Sequence, residues 1–100
     1  MNELEKARKE IEVIDRQMAG LFERRMELST VIGRFKAEND LPVRDPEREK
    51  TLTERNLSFI GNGDLKAYYA DFLGKVIDLS CEYQRKLIDE NQTDGGGTET

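Results

Sequence analysis

The 100-residue sequence contains no histidine and only one cysteine. Without histidine, the chain cannot use imidazole acid-base catalysis, a Ser/His/Asp or Cys/His nucleophile system, or a histidine-ligated zinc ion. The single cysteine, Cys81, cannot form an internal disulfide or a cysteine-rich metal site, so a reducing compartment, the cytoplasm, is expected. These absences argue against a histidine- or cysteine-ligated metal site, and we expect neither a metal ion nor another cofactor.

Long hydrophobic segments are also missing. No apolar run approaches the roughly 18 residues that a membrane span needs, and the first residues, MNELEKARKE, lack the hydrophobic segment of a signal peptide. Charged residues make up 37% and apolar residues 36% of the chain, against about 25% and about 45 to 50% in typical globular domains. One domain built from long amphipathic helices fits this composition, and no membrane partner is expected.

Negative charge is concentrated at the end of the chain. The formal net charge is -5, and the last twelve residues, DENQTDGGGTET, contain four acidic residues and no basic residue. The remainder is nearly neutral, so nucleic acid is not an expected partner, because phosphate binding rests on an excess of positive charge. We therefore expect a helical domain over residues 1–88 and a disordered, acidic and glycine-rich tail over residues 89–100.

The first part of the chain has the hydrophobic spacing of one long helix over residues 2–39. No proline interrupts this segment, whose length as a helix would be about 57 Å. A compact domain of this size has a radius of gyration of only about 13 Å, so the helix would extend well beyond its own fold. A second copy covering the apolar stripe, and hence a homodimer, is the most economical solution. The stripe consists of Leu4, Ala7, Ile11, Ile14, Met18, Leu21, Leu28, Ile32 and Phe35.

Two further helices are predicted after a connection rich in turn-forming residues. Asp45 and Pro46 have the pattern of an N-cap followed by the first helical residue, and the short helix that they begin should end near Ile60. Asp64 is expected to cap the third helix, which runs to about Ile88. Together the segments predict an all-α fold of one long, one short and one medium-long helix. The third helix carries an apolar stripe of Leu65, Tyr69, Phe72, Val76, Tyr83 and Leu87, with Leu73 and Ile77 beside it.

Polar residues occupy helix positions where apolar residues are expected. Arg25 falls in the apolar register between Leu21 and Leu28, where a guanidinium is costly unless an anion meets it. Lys36 lies eleven residues later, so both cations point in nearly the same direction with about 17 Å between their backbones. The pair leaves room for a small dianion. Alternatively, Arg25 forms an internal ion pair and Lys36 is a solvated lysine that complements the helix dipole.

The second and third helices contribute further polar groups. Ser80 and Gln84 continue the apolar row of the third helix, at a spacing that would let both bind a ligand's oxygens. Arg48 and Glu49 lie in the first turn of the second helix, next to its Asp45 cap, where anions are favoured. A serine bonded to its own helix, a snorkelling amide and surface charge pairs are the alternatives. If the polar positions share one volume, they form a site that binds a polyanionic small molecule and stabilises charge.

These polar positions belong to a longer ordered pattern, which comprises Arg8, Ile11, Ile14, Asp15, the ERR segment that ends at Arg25, Gly33, Lys36, the segment LPVRDPERE, Ser80 and Gln84. The pattern covers about residues 4–88 and resembles that of the all-helical chorismate mutases. The resemblance implies three helices per chain in an intertwined homodimeric bundle. It also implies the concerted rearrangement of chorismate to prephenate, in the shikimate pathway branch to phenylalanine and tyrosine. That reaction needs no acid, base or nucleophile, which agrees with the absence of histidine.

The resemblance further implies a role for each polar residue. Arg8 and Arg25 would bind the two carboxylates of chorismate, and Lys36 and Gln84 would donate hydrogen bonds to its ether oxygen. Lys36 would also contact a carboxylate, and Ser80 would assist at the ring carboxylate. On this basis the predicted catalytic residues are Lys36, Gln84 and Arg25.

The start of the second helix would hold the ring hydroxyl through Glu49 and the backbone of Asp45, while Arg48 organises that helix start. Arg8 and Arg25 are seventeen residues apart on one helix, or about 25 Å, so a small dicarboxylate cannot bridge them within one chain. If both arginines bind the same ligand, Arg8 must come from the second chain of the homodimer.

Three other interpretations remain open from the sequence. The closest is an isochorismate pyruvate-lyase, which would use a similar anion clamp on an isomeric substrate. A non-catalytic helical dimerisation module would use Arg25 and Lys36 only for interhelical ion pairs. The chain could also be an enzyme domain taken from a larger aromatic-biosynthesis protein.

Overall fold

A computed structural model describes the backbone of residues 1–98 and the side chains of residues 1–90. It contains three α-helices, α1 (Glu3–Glu38), α2 (Pro46–Leu57) and α3 (Lys66–Thr98), with a short 3-10 helix (Gly63–Leu65) directly before α3. No β-strand occurs within the described backbone. The predicted all-α fold of three helices is confirmed, although α3, with 33 residues, is nearly as long as α1, with 36.

The first two helices begin within one residue of their predicted starts. Asn2 caps α1, because its Oδ1 accepts a hydrogen bond from the Glu5 backbone nitrogen at 2.8 Å. Asp45 caps α2 in the same way, at 3.1 Å from the Arg48 nitrogen, and Pro46 is the first helical residue. A proline at this position leaves no helical hydrogen bond unmade. Local capping chemistry therefore determines where α2 begins.

The connection between α2 and α3 differs from the prediction at both ends. The helix α2 ends at Leu57 and does not reach Ile60. The backbone nitrogens of Phe59 and Ile60 bond to carbonyls three residues earlier, which tightens the chain into a turn. The predicted cap, Asp64, is replaced by Asn62, whose Oδ1 accepts from the Asp64 nitrogen at 3.0 Å and starts the 3-10 helix.

The third helix extends beyond its predicted end near Ile88. Its backbone is helical to Thr98, although the sequence predicts a disordered tail over residues 89–100. No proline follows Pro46, so every later residue can donate to the helical ladder, and the three glycines raise the cost by only about 1 kcal/mol each relative to alanine. Residues 99 and 100 lie outside the described residues.

The hydrophobic core is centred on one row of α3. Leu73, Ile77 and Cys81 are buried, and Val43, Leu52 and Tyr69 pack around them. These core residues lie in the row that the sequence places beside the main apolar stripe, whereas Leu65, Phe72 and Tyr83 of that stripe are exposed. The predicted stripe is therefore only partly covered within the chain, through residues such as Tyr69, and the most deeply buried face of α3 is the neighbouring row.

The long helix α1 protrudes, as predicted. The molecule measures 64 × 32 × 15 Å, and its radius of gyration is 18.1 Å, against about 13 Å for a compact chain of this length. The α1 residues that are buried within the chain are Ser29 and Gly33, both in its C-terminal half. In the described part of the chain, no helix contains an apolar segment long enough to cross a membrane.

Candidate active site

The three helices surround a cavity of about 290 Å³ beside the hydrophobic core. Its floor includes Leu28 and Ile32 of α1, Leu52 of α2 and Ile77 of α3. Polar side chains form most of the rest of the wall, and they include seven of the eight residues that the sequence predicts to bind substrate. These seven are Arg25, Lys36, Asp45, Arg48, Glu49, Ser80 and Gln84.

Arg25 enters the cavity from the middle of α1. Its Nη1 donates a hydrogen bond of 2.7 Å to the Ser80 hydroxyl, which lies 3.7 Å from the Met26 sulfur. Within the described side chains, Arg25 forms no ion pair. The alternative that Arg25 forms an ion pair within its own chain is therefore wrong for residues 1–90. The guanidinium charge of Arg25 faces the cavity.

Lys36 enters the same cavity from the last turn of α1. Its Nζ donates a hydrogen bond of 2.7 Å to the Val43 carbonyl in the connection to α2. No carboxylate among the described residues lies within ion-pair distance of this ammonium group. Because an ammonium group has three hydrogens, Lys36 can still donate to a ligand in the cavity. It is therefore a partly buried lining residue and not a fully solvated lysine at the end of the helix.

Ser29, Ser80 and Gln84 form the buried polar layer between α1 and α3. Each is only 5 to 6% exposed. Gln84 Nε2 donates to the Ser29 hydroxyl at 2.7 Å, and the Ser29 hydroxyl lies 3.4 Å from the Ser80 carbonyl oxygen. Among the described side chains, Gln84 Oε1 is buried without a hydrogen-bond partner, an arrangement that costs about 1 to 3 kcal/mol.

Gly33 allows α1 to approach α3 closely at this layer. A Cβ atom added to Gly33 would lie 2.8 Å from Gln84 Cγ and 3.1 Å from Gln84 Cβ. Any larger residue at position 33 would therefore have to move the stem of Gln84. The absence of a side chain at Gly33 sets the depth at which the Gln84 amide sits.

The start of α2 is held by an ion-pair cluster around Arg44. Its guanidinium donates to both carboxylate oxygens of Glu49 and, at 3.0 Å, to Asp78 of α3. Glu49 also accepts from the Asp45 backbone nitrogen at 3.2 Å. Hydrogen bonds from Arg44 lower the pKa of Glu49 below its usual value, with smaller contributions from the Asp45 nitrogen and the charge of Lys36, while partial burial opposes them. The Glu49 carboxylate is thus fixed in its ionised form at the edge of the cavity.

The cavity wall carries an excess of positive charge. Arg25, Lys36 and Arg48 form no ion pair within the described side chains, whereas Glu49 is neutralised by Arg44 outside the lining. The remaining lining carboxylate, Asp45, is engaged as the cap of α2. No three Cys, Asp or Glu side chains among the described residues are grouped closely enough to hold a metal ion. The arrangement can therefore bind a small anion and donate several hydrogen bonds to its oxygens.

Arg8 is the predicted site residue that the fold does not bring to this cavity. It lies on the exposed N-terminal half of α1, seventeen residues before Arg25, which corresponds to about 25 Å along the helix. Its assignment to the site across a dimer interface stays a prediction.

The family model described as chorismate mutase type II matches residues 7–85. The chain belongs to the chorismate mutase type II family. The match covers α1 from its second turn to the middle of α3, and so includes every described element that lines the cavity.

Curated relatives of this chorismate mutase type II chain are longer proteins. A bifunctional chorismate mutase/prephenate dehydratase of Aquifex aeolicus is 40% identical over 57% of this chain and 16% of that protein. A protein of the same name from Escherichia coli K12 is 33% identical over 90% of this chain and 24% of that protein. The chain thus spans about a quarter or less of these relatives.

A solved structure has the same fold. The chain of a conserved hypothetical protein from Pyrococcus furiosus superposes with a TM-score of 0.68 and 30% sequence identity, covering 84% of this chain and 97% of that chain. The helical arrangement of this chorismate mutase type II domain is therefore found in a protein of nearly the same length as the aligned region.

Sequence analysis missed two structural contributors to the site. Ser29 is small enough to fit anywhere in a helix, and its hydroxyl has a partner only because α3 passes beside it. Arg44 lies in a connection without periodicity, and its spacing of five residues from Glu49 matches no helical pairing rule. Its place in the segment LPVRDPERE, directly before the Asp45 cap, was the available signal.

Proposed function

We propose that this chain catalyses the intramolecular rearrangement of chorismate to prephenate. The observation that carries the proposal is the cavity of a chorismate mutase type II domain, in which cations without internal ion pairs and buried hydrogen-bond donors surround one small volume. Chorismate is a dicarboxylate with an ether oxygen, so its charge and its acceptor atoms match this wall.

The reaction breaks the ether C–O bond while a C–C bond forms in the same molecule. No proton is transferred and no covalent intermediate with the protein is formed. The protein has to hold the substrate in a compact chair-like conformer and stabilise the negative charge that develops on the ether oxygen. From positioning and electrostatics alone we expect a rate enhancement near the lower end of the enzymatic range, about 10⁶-fold, which corresponds to about 8 kcal/mol.

The contacts of Lys36 and Gln84 support a role for both side chains as donors to the ether oxygen. Lys36 is anchored by one hydrogen to Val43 and retains two, while Gln84 is anchored by one N–H to Ser29 and retains one. Both donors are therefore held before the substrate arrives, so that little reorganisation is needed in the transition state.

The remaining residues bind and orient the substrate. Arg25, supported by Ser80, binds a carboxylate, and Ser80 assists at the ring carboxylate. Glu49, in its ionised form, accepts the hydrogen of the ring hydroxyl, and the backbone of Asp45 helps to hold that hydroxyl. Arg48 adds positive charge beside the start of α2, which itself favours anions.

The second carboxylate would be bound by Arg8 of a second copy. Within one chain Arg8 is about 25 Å from Arg25. The apolar residues near Arg8 are exposed, for example Ile11 at 53% and Ile14 at 50%. An intertwined homodimer would cover these residues and bring one Arg8 to each cavity. We place the reaction in the cytoplasm, consistent with the single free cysteine.

Product identification tests the proposed function. The purified protein is incubated with chorismate and, separately, with isochorismate, and the products are separated and identified. We expect prephenate from chorismate at a rate far above the uncatalysed reaction. Formation of salicylate and pyruvate from isochorismate, without prephenate from chorismate, would assign the chain to the lyase reaction, and no turnover of either compound would refute a catalytic role.

A further inference from the structure

The hydroxyl of Ser29 contacts Gln84, and the mechanism proposed above uses this contact only to anchor the amide. Ser29 lies on α1 between Arg25 and Gly33 and is only 5% exposed. Its Oγ atom is 2.7 Å from Gln84 Nε2 and 3.4 Å from the Ser80 carbonyl oxygen, both on α3. Serine hydroxyls within helices usually bond to a carbonyl of their own helix. The hydrogen bonds of Ser29 instead join two helices at the wall of the cavity.

The direction of these hydrogen bonds determines how the Gln84 amide is oriented. A hydroxyl has one hydrogen and two lone pairs. When the hydrogen of Ser29 is donated to the Ser80 carbonyl, only lone pairs face Gln84. An amide nitrogen can bond to those lone pairs, whereas an amide oxygen would be repelled by them. Because the two ends of the amide are nearly equal in size, this polarity, and not shape, selects the orientation.

The opposite end of the amide shows that no other group fixes it. Gln84 Oε1 is buried and has no hydrogen-bond partner among the described residues. The amide of Gln84 can be turned by half a rotation, which exchanges Nε2 and Oε1. Among the described contacts, the hydrogen bond to Ser29 is the one that favours one of these two orientations over the other. It also leaves the second hydrogen of Nε2 available to an acceptor in the cavity that Gln84 lines.

We propose that Ser29 is a positioning residue that holds the Gln84 amide with its nitrogen, and not its oxygen, available to the substrate. The proposal rests on the proposed function, in which Gln84 donates to the ether oxygen of chorismate. A rotated amide would place Oε1 against that oxygen and would destabilise the charge that develops there. Ser29 thus acts on the reaction through Gln84.

Kinetics of Ser29 variants test this role. Ser29→Ala removes the acceptor, and Ser29→Cys preserves nearly the same size with a much weaker acceptor. Thr30→Ala is the matched control, because among the described contacts the Thr30 hydroxyl donates to the Met26 carbonyl of its own helix and forms no hydrogen bond to α3. We expect kcat to fall by about tenfold in both Ser29 variants, with KM changed less than kcat, and to stay close to wild type in Thr30→Ala.

A double-variant comparison separates positioning from a direct or structural effect. In a Gln84→Ala background the amide is absent, so adding Ser29→Ala should cause no further loss of kcat. A further loss of about the same size as in the wild-type background would show that Ser29 does not act through Gln84. Loss of helicity in proportion to the loss of activity in both Ser29 variants would show a structural role. Unchanged kcat in both folded Ser29 variants would also overturn the proposal.

A measurement without substrate keeps the two proposals distinguishable. In ¹⁵N-labelled protein the side-chain NH₂ resonances of Gln84 are identified by their loss in Gln84→Ala, and hydrogen exchange is followed for each hydrogen. We expect one slowly and one rapidly exchanging hydrogen in wild type, and two similar rates in Ser29→Ala. Equal exchange rates for the two Gln84 hydrogens in an active wild-type enzyme would refute the proposed role of Ser29 and leave the proposed function standing. The expected asymmetry in a wild-type protein that does not convert chorismate would refute the proposed function and leave the orientation of the amide established.

Discussion

The two halves of α1 have the same hydrophobic spacing and very different surroundings. In the C-terminal half, Ser29 and Gly33 are buried against α3, and Arg25 and Lys36 line the cavity. In the N-terminal half the large apolar side chains remain exposed, and Leu4 and Val13, the most exposed of these, each keep 56% of their surface. The comparison shows that a regular apolar stripe predicts that a helix face will be covered, but not which chain covers it.

Small residues distinguish the half that packs within the chain. Gly33 lets α3 approach to contact distance, and the stem of Gln84 occupies the space of the missing side chain. The apolar stripe is only partly covered by the chain itself, because Leu28 and Ile32 line the cavity while Ile32 and Phe35 remain 50% and 59% exposed. The small residues of α1 therefore pack within the chain, and the exposed part of the apolar stripe is left for the proposed second copy.

The largest expected effect comes from removing a cation from the C-terminal half. Arg25→Ala and Lys36→Ala should each lower kcat/KM by about a hundredfold or more, because each removes a charge-assisted donor from the site. The control is Arg24→Ala, since Arg24 is exposed and pairs only with Glu27 at 3.1 Å among the described contacts. Steady-state kinetics with circular dichroism on each variant checks this. Equal losses for Arg24 and Arg25 variants, or loss of fold in the latter, would contradict it.

A charge placed in the N-terminal half tests whether a second copy covers it. In an isolated chain, Ile14→Glu at a half-exposed position should change stability by no more than about 0.5 kcal/mol. In the proposed dimer it buries a carboxylate without a partner, so we expect the molecular mass in light scattering to halve and activity to fall by about tenfold or more. Arg16→Glu, on the opposite face of α1, should change neither. An Ile14→Glu protein with unchanged mass and activity would refute this interface.

Mixing two inactive variants tests whether Arg8 acts across the interface. Arg8→Ala and Arg25→Ala chains are allowed to exchange, and the exchange is verified by mass. A mixed dimer has one cavity with both arginines and one with neither. Random pairing makes half of the dimers mixed, so about a quarter of wild-type activity should return. Activity that stays at the level of the parents would show that Arg8 does not complete the partner's site, even if the dimer forms.

Gly33→Ala should disturb the contact between the helices without removing any functional group. The added Cβ would lie 2.8 Å from Gln84 Cγ, so we expect a loss of about 1 to 3 kcal/mol in the free energy of unfolding, as is typical of overpacked sites. Gly20→Ala is the control, because its added Cβ would meet no described atom within 4 Å and a helical alanine is favoured by about 1 kcal/mol. Urea unfolding of the two variants should thus give opposite signs. Two stabilised variants would mean that the helices can separate at this point without cost.

The smallest expected effect is a change in the pH dependence of stability. Arg44 lowers the pKa of Glu49 below 4.5 in the folded protein. The resulting stabilisation is complete above pH 4.5 and is lost as the pH falls through the folded-state pKa. Between pH 5 and pH 3, the melting temperature should therefore fall less in Arg44→Met than in wild type or in the exposed-residue control Lys50→Met. A fall of the same size in all three proteins would show that this ion pair does not contribute.

The sequence predicts those features that depend on neighbours along the chain. Asp45 and Pro46 mark the start of α2 because capping is local, and the register of Arg25, Lys36, Ser80 and Gln84 brings all four to one cavity once the helices pack. Asn62 and Asp64 both have capping side chains two residues apart, so local chemistry does not choose between them. The core row of α3 depends on which of two adjacent apolar faces meets α1, and this choice is made only by tertiary packing.

The close approach of Gly33 to Gln84 has a consequence for how the family can vary. A side chain at position 33 and a long side chain at position 84 compete for the same space, so the two positions cannot enlarge independently. In an alignment of relatives, a residue larger than glycine at the first position should be accompanied by a shorter residue at the second, or by a wider spacing of the two helices. Sequence covariation between these two sites would then record a steric contact, whereas covariation between the positions of Ser29 and Gln84 would record the polarity of a hydrogen bond.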